Sequence, residues 1–176
     1  AFNDHNAYGS LFQWGRYSDG HELINYTSAT IGAAVNGTTS TNATSDTPGD
    51  NLFITDGSSL NDWRVPKNDN LWQGETGINN PCPQGYRLPT ETEIDVLISA
   101  EGITNRISAA SSSLAFSASG SRENTFGTVS NIGNSNSFWS STVNGDFARD
   151  RYTFSNSTST YDSSREFGFG VRCLKD

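Results

Sequence analysis

Methionine is absent from this 176-residue chain, and lysine, histidine and cysteine occur only twice each. No run approaches the roughly 18 consecutive apolar residues of a membrane span, so insertion into a bilayer is not expected. No G-x-S-x-G elbow and no P-loop occurs, and Gly168-Phe169-Gly170 leads to Cys173 where a dinucleotide fingerprint needs Gly or Ala. His5 and His21 lie in polar surroundings, and neither has a second His or Cys at metal-ligand spacing, so no metal residue is nominated. With so few histidines and no reactive-cysteine context, a general base or a nucleophile has no candidate, and the chain is not expected to be an enzyme.

Aliphatic and phenyl side chains are scarce too. Leu, Ile, Val and Phe supply 34 residues, about 19% of the chain, at the edge of the disordered range. Two counts restore a folded reading: 20 aromatic residues, each able to bury a large area, and a net charge of only −8. A chain of this length can bury roughly 70% of its unfolded surface, which suits one domain over residues 1–176. The acidic balance argues against nucleic acid, whose non-specific binding needs excess Lys and Arg. Nine of the eleven bases are Arg, and Arg149, Arg151, Arg165 and Arg172 fall in the last 28 positions. That group reads either as solvated strand faces paired with carboxylates or as a ligand-facing set.

The chain starts at Ala1 without a leader, which reads as the start of a processed or trimmed protein whose export signal has gone. Cys82 and Cys173, amid abundant Asn, Ser and Thr, suggest one disulfide in an extracellular or cell-surface setting, the alternative being two buried reduced thiols. Closing a loop of about 90 residues gives about 4–5 kcal/mol in the chain-entropy model.

One segment reads clearly as helix. In residues 89–98, Thr90 and Glu93 stand at capping-box spacing, Ile94, Leu97 and Ile98 share a face, three acids favour the positive end of the dipole, and Gly102 stops the helix. From about residue 136 the period becomes two. Phe138–Thr142 reads as a strand, Asn144-Gly145 as a type I′ hairpin turn, and 147–154 as the returning strand with Ala148, Tyr152 and Phe154 on one face. Residues 155–159 read as a turn and 167–174 as the last strand, completing an antiparallel meander. Residues 27–62 read mostly as loop, and Asn105–Ser113 as a polar joint. Four N-glycosylation patterns, at Asn25, Asn36, Asn42 and Asn156, are unsurprising at this composition.

The block Asn80-Pro81-Cys82-Pro83-Gln84-Gly85-Tyr86-Arg87-Leu88-Pro89-Thr90-Glu91-Thr92-Glu93 resembles the "CP-x-G-[WY]-[RH]-LP-[ST]-x-x-E" signature of the Fibrobacter succinogenes major paralogous domain family, extracellular modules abundant in Bacteroidetes-type proteins. Three further blocks, at Tyr8–Arg16, Phe138–Thr142 ("FWSST") and Gly170–Asp176 ("GVRCLKD"), are similar to other landmarks of that family and stand in the same order. The Gly85–Glu93 stretch is also similar to the formylglycine-generating-enzyme group. What the resemblance implies is an α+β, C-type-lectin-like domain: an antiparallel sheet whose terminal strands carry the cysteines, one or two helices, and a large loop region on one side. The formylglycine activity is not carried over, because both cysteines match structural positions. Pro81, Pro83 and Pro89 stiffen the approach to the helix, with Tyr86 and Leu88 expected to point inward beside Ile94 and Leu97 and to meet Trp139 and Phe169 of the sheet.

The lectin calcium motifs are missing, since Trp139-Ser140-Ser141 departs from "WND" at both ligating positions. No cofactor is expected, although Asp46–Asp50 and Lys67–Asn70 are oxygen-rich enough for a structural Ca²⁺. The expected function is a non-catalytic recognition or adhesion module on a cell surface, a pilus or fibre tip, or a phage particle. It would bind a surface glycan or protein through residues 130–166, with Asn144, Asp146, Arg149, Arg151, Tyr161, Asp162 and Arg165 in contact, residue types suited to adaptable paratopes. Such ligand-binding surfaces are diversified in retroelement systems with this fold. The alternative is a stalk or filament domain, and self-association stays open.

Overall fold

The local signal of highest information content, the capped helix, forms as its residues dictate. In the computed structural model, which describes residues 3–55 and 61–176, Thr90 Oγ1 accepts from the Glu93 amide while the Glu93 carboxylate accepts from the Thr90 amide. Ala1 and residues 56–60 of the expected 27–62 loop lie outside the described residues. A 3₁₀ turn at His5–Ala7 precedes the strands β1 (Phe12–Gln13), β2 (Ile24–Ser28), β3 (Ile31–Ala34), β4 (Thr38–Thr39), β5 (Phe53–Ile54) and β6 (Tyr86–Arg87). Helices α1 (Glu91–Ala100) and α2 (Arg106–Ser111) follow, then β7 (Ser121–Arg122), β8 (Val129–Ser130), β9 (Asn136–Asn144), β10 (Phe147–Thr153), β11 (Thr158–Ser164), β12 (Gly168–Phe169) and β13 (Leu174–Lys175).

The fold is mixed α and β, with mostly antiparallel sheets and few helices. One sheet has the order β1-β12-β7-β8 and a second the order β11-β10-β9; β6 pairs β13, β2 pairs β3, and β4 pairs β5, the last in parallel. Phe138 is bridged to Gly170, and the amides of Trp139 and Gly170 bond across that seam, so the end of β12 continues the β9 edge. Cys82 and Cys173 form a disulfide with a Cα separation of 5.8 Å. It sits beside the register pairs Leu174↔Arg87 and Lys175↔Tyr86, clamping the C-terminal strand to the segment that leads into α1.

Alternation along β9 sends neighbouring residues into two separate cores. Trp139 joins Trp14, Trp63, Trp72, Leu71, Leu88 and Phe169 in the larger one. Phe138 joins Ile94, Ile98, Ile103, Ala109 and Phe116 in a smaller one under α1. All four tryptophans thus serve a single core, and Trp14, Trp63 and Trp139 donate their indole N–H to main-chain carbonyls at 2.7–2.9 Å.

Several expectations need correction. The hairpin between β9 and β10 turns at Gly145-Asp146, one residue later than predicted, because Asn144 is itself paired with Phe147 and Gly145 supplies the positive φ. The supposed turn at 155–159 ends at 157, after which β11 runs fully paired along β10. The final strand is divided into β12 and β13, the polar joint contains α2 capped by Asn105, and β3, β4 and β5, with the last two residues of β2, lie within the expected loop. Tyr86 is 37% exposed instead of inward-facing, whereas Leu88 is fully buried.

Candidate functional site

The meander β9–β10–β11 carries the residues that the sequence nominates, and a bulge sets their directions. Between the pairs Trp139↔Asp150 and Val143↔Ala148, three residues of β9 face one of β10. The extra length swings Ser141 and Thr142 toward the start of α1. There the Ser141 amide donates to Pro89 O at 2.9 Å, and Thr142 Oγ1 accepts from the Glu91 amide at 2.9 Å.

On the face toward α1, Arg149 makes a fork with Glu91, Nε–Oε2 2.9 Å and Nη2–Oε1 2.6 Å, and its Nη1 donates to Asp162 Oδ1 at 2.8 Å. Asn144 Nδ2 donates to that same oxygen at 3.1 Å. The Arg149 guanidinium, followed by the Asn144 amide, holds the Asp162 carboxyl below the usual range. Asn144, Arg149 and Asp162 are therefore brought together, but as a closed network tying β9, β10 and β11 to the helix.

Two nominated residues are not presented to a ligand at all. Arg151 is 7% exposed and paired with Asp95 of α1. Arg165 is fully buried, its guanidinium 4.7 Å from the Trp14 ring centre and hydrogen-bonded to Asp62 Oδ2 at 3.2 Å and Asp69 Oδ1 at 2.6 Å. Both were expected in contact with ligand, and both are structural instead: distant acids reach them first. Asp146 lies exposed on the hairpin turn, where Lys67 Nζ meets Oδ1 at 2.6 Å.

Tyr161 is adjacent to Asp162 and so points to the opposite face of β11. It is 52% exposed. Its ring stands at 80° to Tyr152, with centroids 6.0 Å apart, and Tyr152 lies near-parallel to Phe154 at 5.9 Å and 16°. Phe154 is 38% exposed. Sequence reasoning missed Tyr152 and Phe154 as site residues, although the period-two pattern already set them on one face. Beside them Asp150 is buried, accepts from Ser163 Oγ at 2.8 Å, and has its carboxyl raised to about 7 by burial.

Other clusters are satisfied by the protein itself. Ligand atoms of Asp19, His21 and Glu22 lie within 4.8 Å of one another. His21 Nε2 accepts from the Gln13 amide at 3.1 Å, so Nδ1 carries the proton and donates to Asp19 Oδ1 at 2.7 Å. Burial pushes this imidazole downward, and Arg16 Nε supplies the compensating cation to Asp19 Oδ2 at 2.8 Å. In the stretches expected to suit Ca²⁺, Asp46 is ion-paired with Arg64 and accepts from Asn68, and Asp69 accepts from Arg165. Two cavities, of about 160 and 140 Å³, meet at Phe116, Phe138 and Arg172; the second is lined by Ile94, Leu97, Ile98 and Leu114.

Comparison with family models, with curated proteins and with solved structures gives no match to this chain.

Proposed function

We propose that this chain is a non-catalytic recognition or adhesion module of the extracellular or cell-surface space, of C-type-lectin-like architecture and related to the major paralogous domain family. The order of its sequence blocks supports that kinship, together with a disulfide that clamps the C-terminal strand to the stiff approach of α1. The observation that carries the recognition reading is the partly exposed cluster Tyr152, Phe154 and Tyr161 at the end of a sheet that is otherwise anchored on both faces. Single exposed rings are ordinary, but three joined through Tyr152 on a rigid support make a preformed contact surface. The region between residues 130 and 166 keeps its role in this reading, while the contact set shifts from the arginines to the rings.

The test is a binding screen of the isolated chain against immobilised surface glycans and surface proteins, with and without chelator. The expected result is retention that Tyr161→Ala removes while the melting temperature stays unchanged, and that chelator does not affect. Absence of retention, together with spontaneous polymerisation of the chain, would overturn this reading in favour of a stalk or filament domain.

A further inference from the structure

We infer that Tyr152, Phe154 and Tyr161 form a stacking platform for the pyranose rings of a neutral glycan, an inference that rests on the recognition reading above and names its ligand class. The first argument is shape. Two near-parallel rings with a third standing across them offer both a flat apolar face and an upright apolar wall. The C–H faces of a sugar chair match such a surface, since they are apolar, rigid and weakly positive against the negative face of an aromatic ring. None of the cavities described above is lined by these rings. An open platform suits the interior of a glycan chain better than an end group that must be enclosed.

The second argument is the chemistry of the surround. Every residue between Phe154 and Tyr161 is Ser, Thr or Asn: Ser155, Asn156, Ser157, Thr158, Ser159 and Thr160. Tyr152 stands in register with Ser159 on one side and Ser137 on the other. Hydroxyl and amide groups both donate and accept, as the hydroxyls of a sugar do, so either orientation of a partner can be satisfied.

The third argument is charge. The nearby cations are already held: Arg149 by Glu91 and Asp162, Arg151 by Asp95, and Arg106, whose amide bonds Phe154 O, by the main-chain carbonyls of Gly133 and Asn134. Asp150, on the face of the rings, is buried and bonded to Ser163. An anionic or cationic ligand would find these charges spent, whereas an uncharged one bears no such penalty.

Affinity electrophoresis of the whole chain through gels containing xylan, β-glucan, glucomannan or starch tests this, with polygalacturonate as the anionic control. Retardation is expected in at least one neutral gel and not in the control. Tyr161→Ala should weaken it tenfold or more and Tyr161→Phe should preserve it, because the ring and not the hydroxyl makes the contact. Calorimetric melting of each variant separates loss of binding from loss of fold. Retardation unchanged by Tyr161→Ala, or confined to polygalacturonate, overturns the assignment. Absence of retardation in all neutral gels, while Tyr161 still governs binding to a surface protein in the screen above, overturns the glycan class and leaves the recognition reading standing. Absence of binding in both experiments overturns both.

Discussion

The interior of this protein is completed by arginine where aliphatic side chains run short. Arg16, Arg122 and Arg165 are all at most 1% exposed. Arg16 donates to the carbonyls of Asp50 and Leu52, and Arg122 to those of His21, Asn36 and Gly127 while lying 4.1 Å from the Phe53 ring centre. A guanidinium offers five donors in one plane and an apolar face, so one side chain can satisfy several loop carbonyls and still pack against a ring. This placement was not legible in the sequence, which shows Arg165 among exposed-looking polar residues and cannot show that Asp62 and Asp69, about a hundred positions earlier, return to meet it. Replacing Arg165 by Met removes the cation from a buried pair, for which about 3–5 kcal/mol is typical. Asp62, already raised to about 6 by burial, would lose its buried cation and keep the Arg64 amide on Oδ1 and the nearby Arg64 charge. The loss of stability should therefore be larger at pH 8 than at pH 5, where Asp62 takes up a proton, and urea melts at the two values measure the difference. Asp150 makes the complementary case. Its native carboxyl, at about 7, keeps a proton that the unfolded chain releases near 3.8, so stability falls as pH rises through that window and levels off above it. The full effect is up to about 4 kcal/mol. Asp150→Asn should then be more stable than the wild type at pH 8 and no more stable near pH 4.

At the scale of elements, what could be read in advance was what is decided locally. Helix α1 was legible because its start depends on Thr90 and Glu93, three residues apart, and its end on Gly102, whose φ is +62°. Glu93 is doubly used, since Arg87 binds its carboxylate through two nitrogens and, as the main cause, pulls it down to about 2. Thr90→Ala should cost about 1 kcal/mol of stability and Thr90→Ser much less, measured by denaturant midpoint. A Thr90→Ala variant as stable as the wild type would mean that Arg87 and the Thr142 hydroxyl fix this terminus without the cap. Strand β11 was not legible for the opposite reason. Its residues, Thr158 to Ser164, contain no apolar alternation, and only the register with β10 makes them a strand. The candidate site shared that fate: alternation placed Tyr152 and Phe154 together, but only the pairing of Tyr161 opposite Asp150 brings the third ring to them.

For the molecule as a whole, the disulfide decides how the ends are held. Among the described residues β6 and β13 share two register pairs, reinforced by Arg87 Nε donating to Asp176 Oδ1 at 2.8 Å on a partly exposed surface. A two-residue ladder and one such ion pair contribute little by themselves. The bridge spans 91 positions and encloses both helices and β6 to β12. Its loss releases a long loop in the unfolded chain, an entropy gain equivalent to about 4–5 kcal/mol. At roughly 2–4 °C per kcal/mol for a domain of this size, Cys82→Ser with Cys173→Ser should lower the melting temperature by about 10–20 °C. The main core holds Trp14, Trp63 and Trp72 from outside that loop and Leu88, Trp139 and Phe169 from within it. Unfolding of the double variant should therefore remain a single transition, because separating the two sets dismantles one shared core. A drop of under about 2 °C would mean that this shared core, and not the covalent clamp, sets the stability of the whole. Two separated transitions would divide the molecule at the bridge instead.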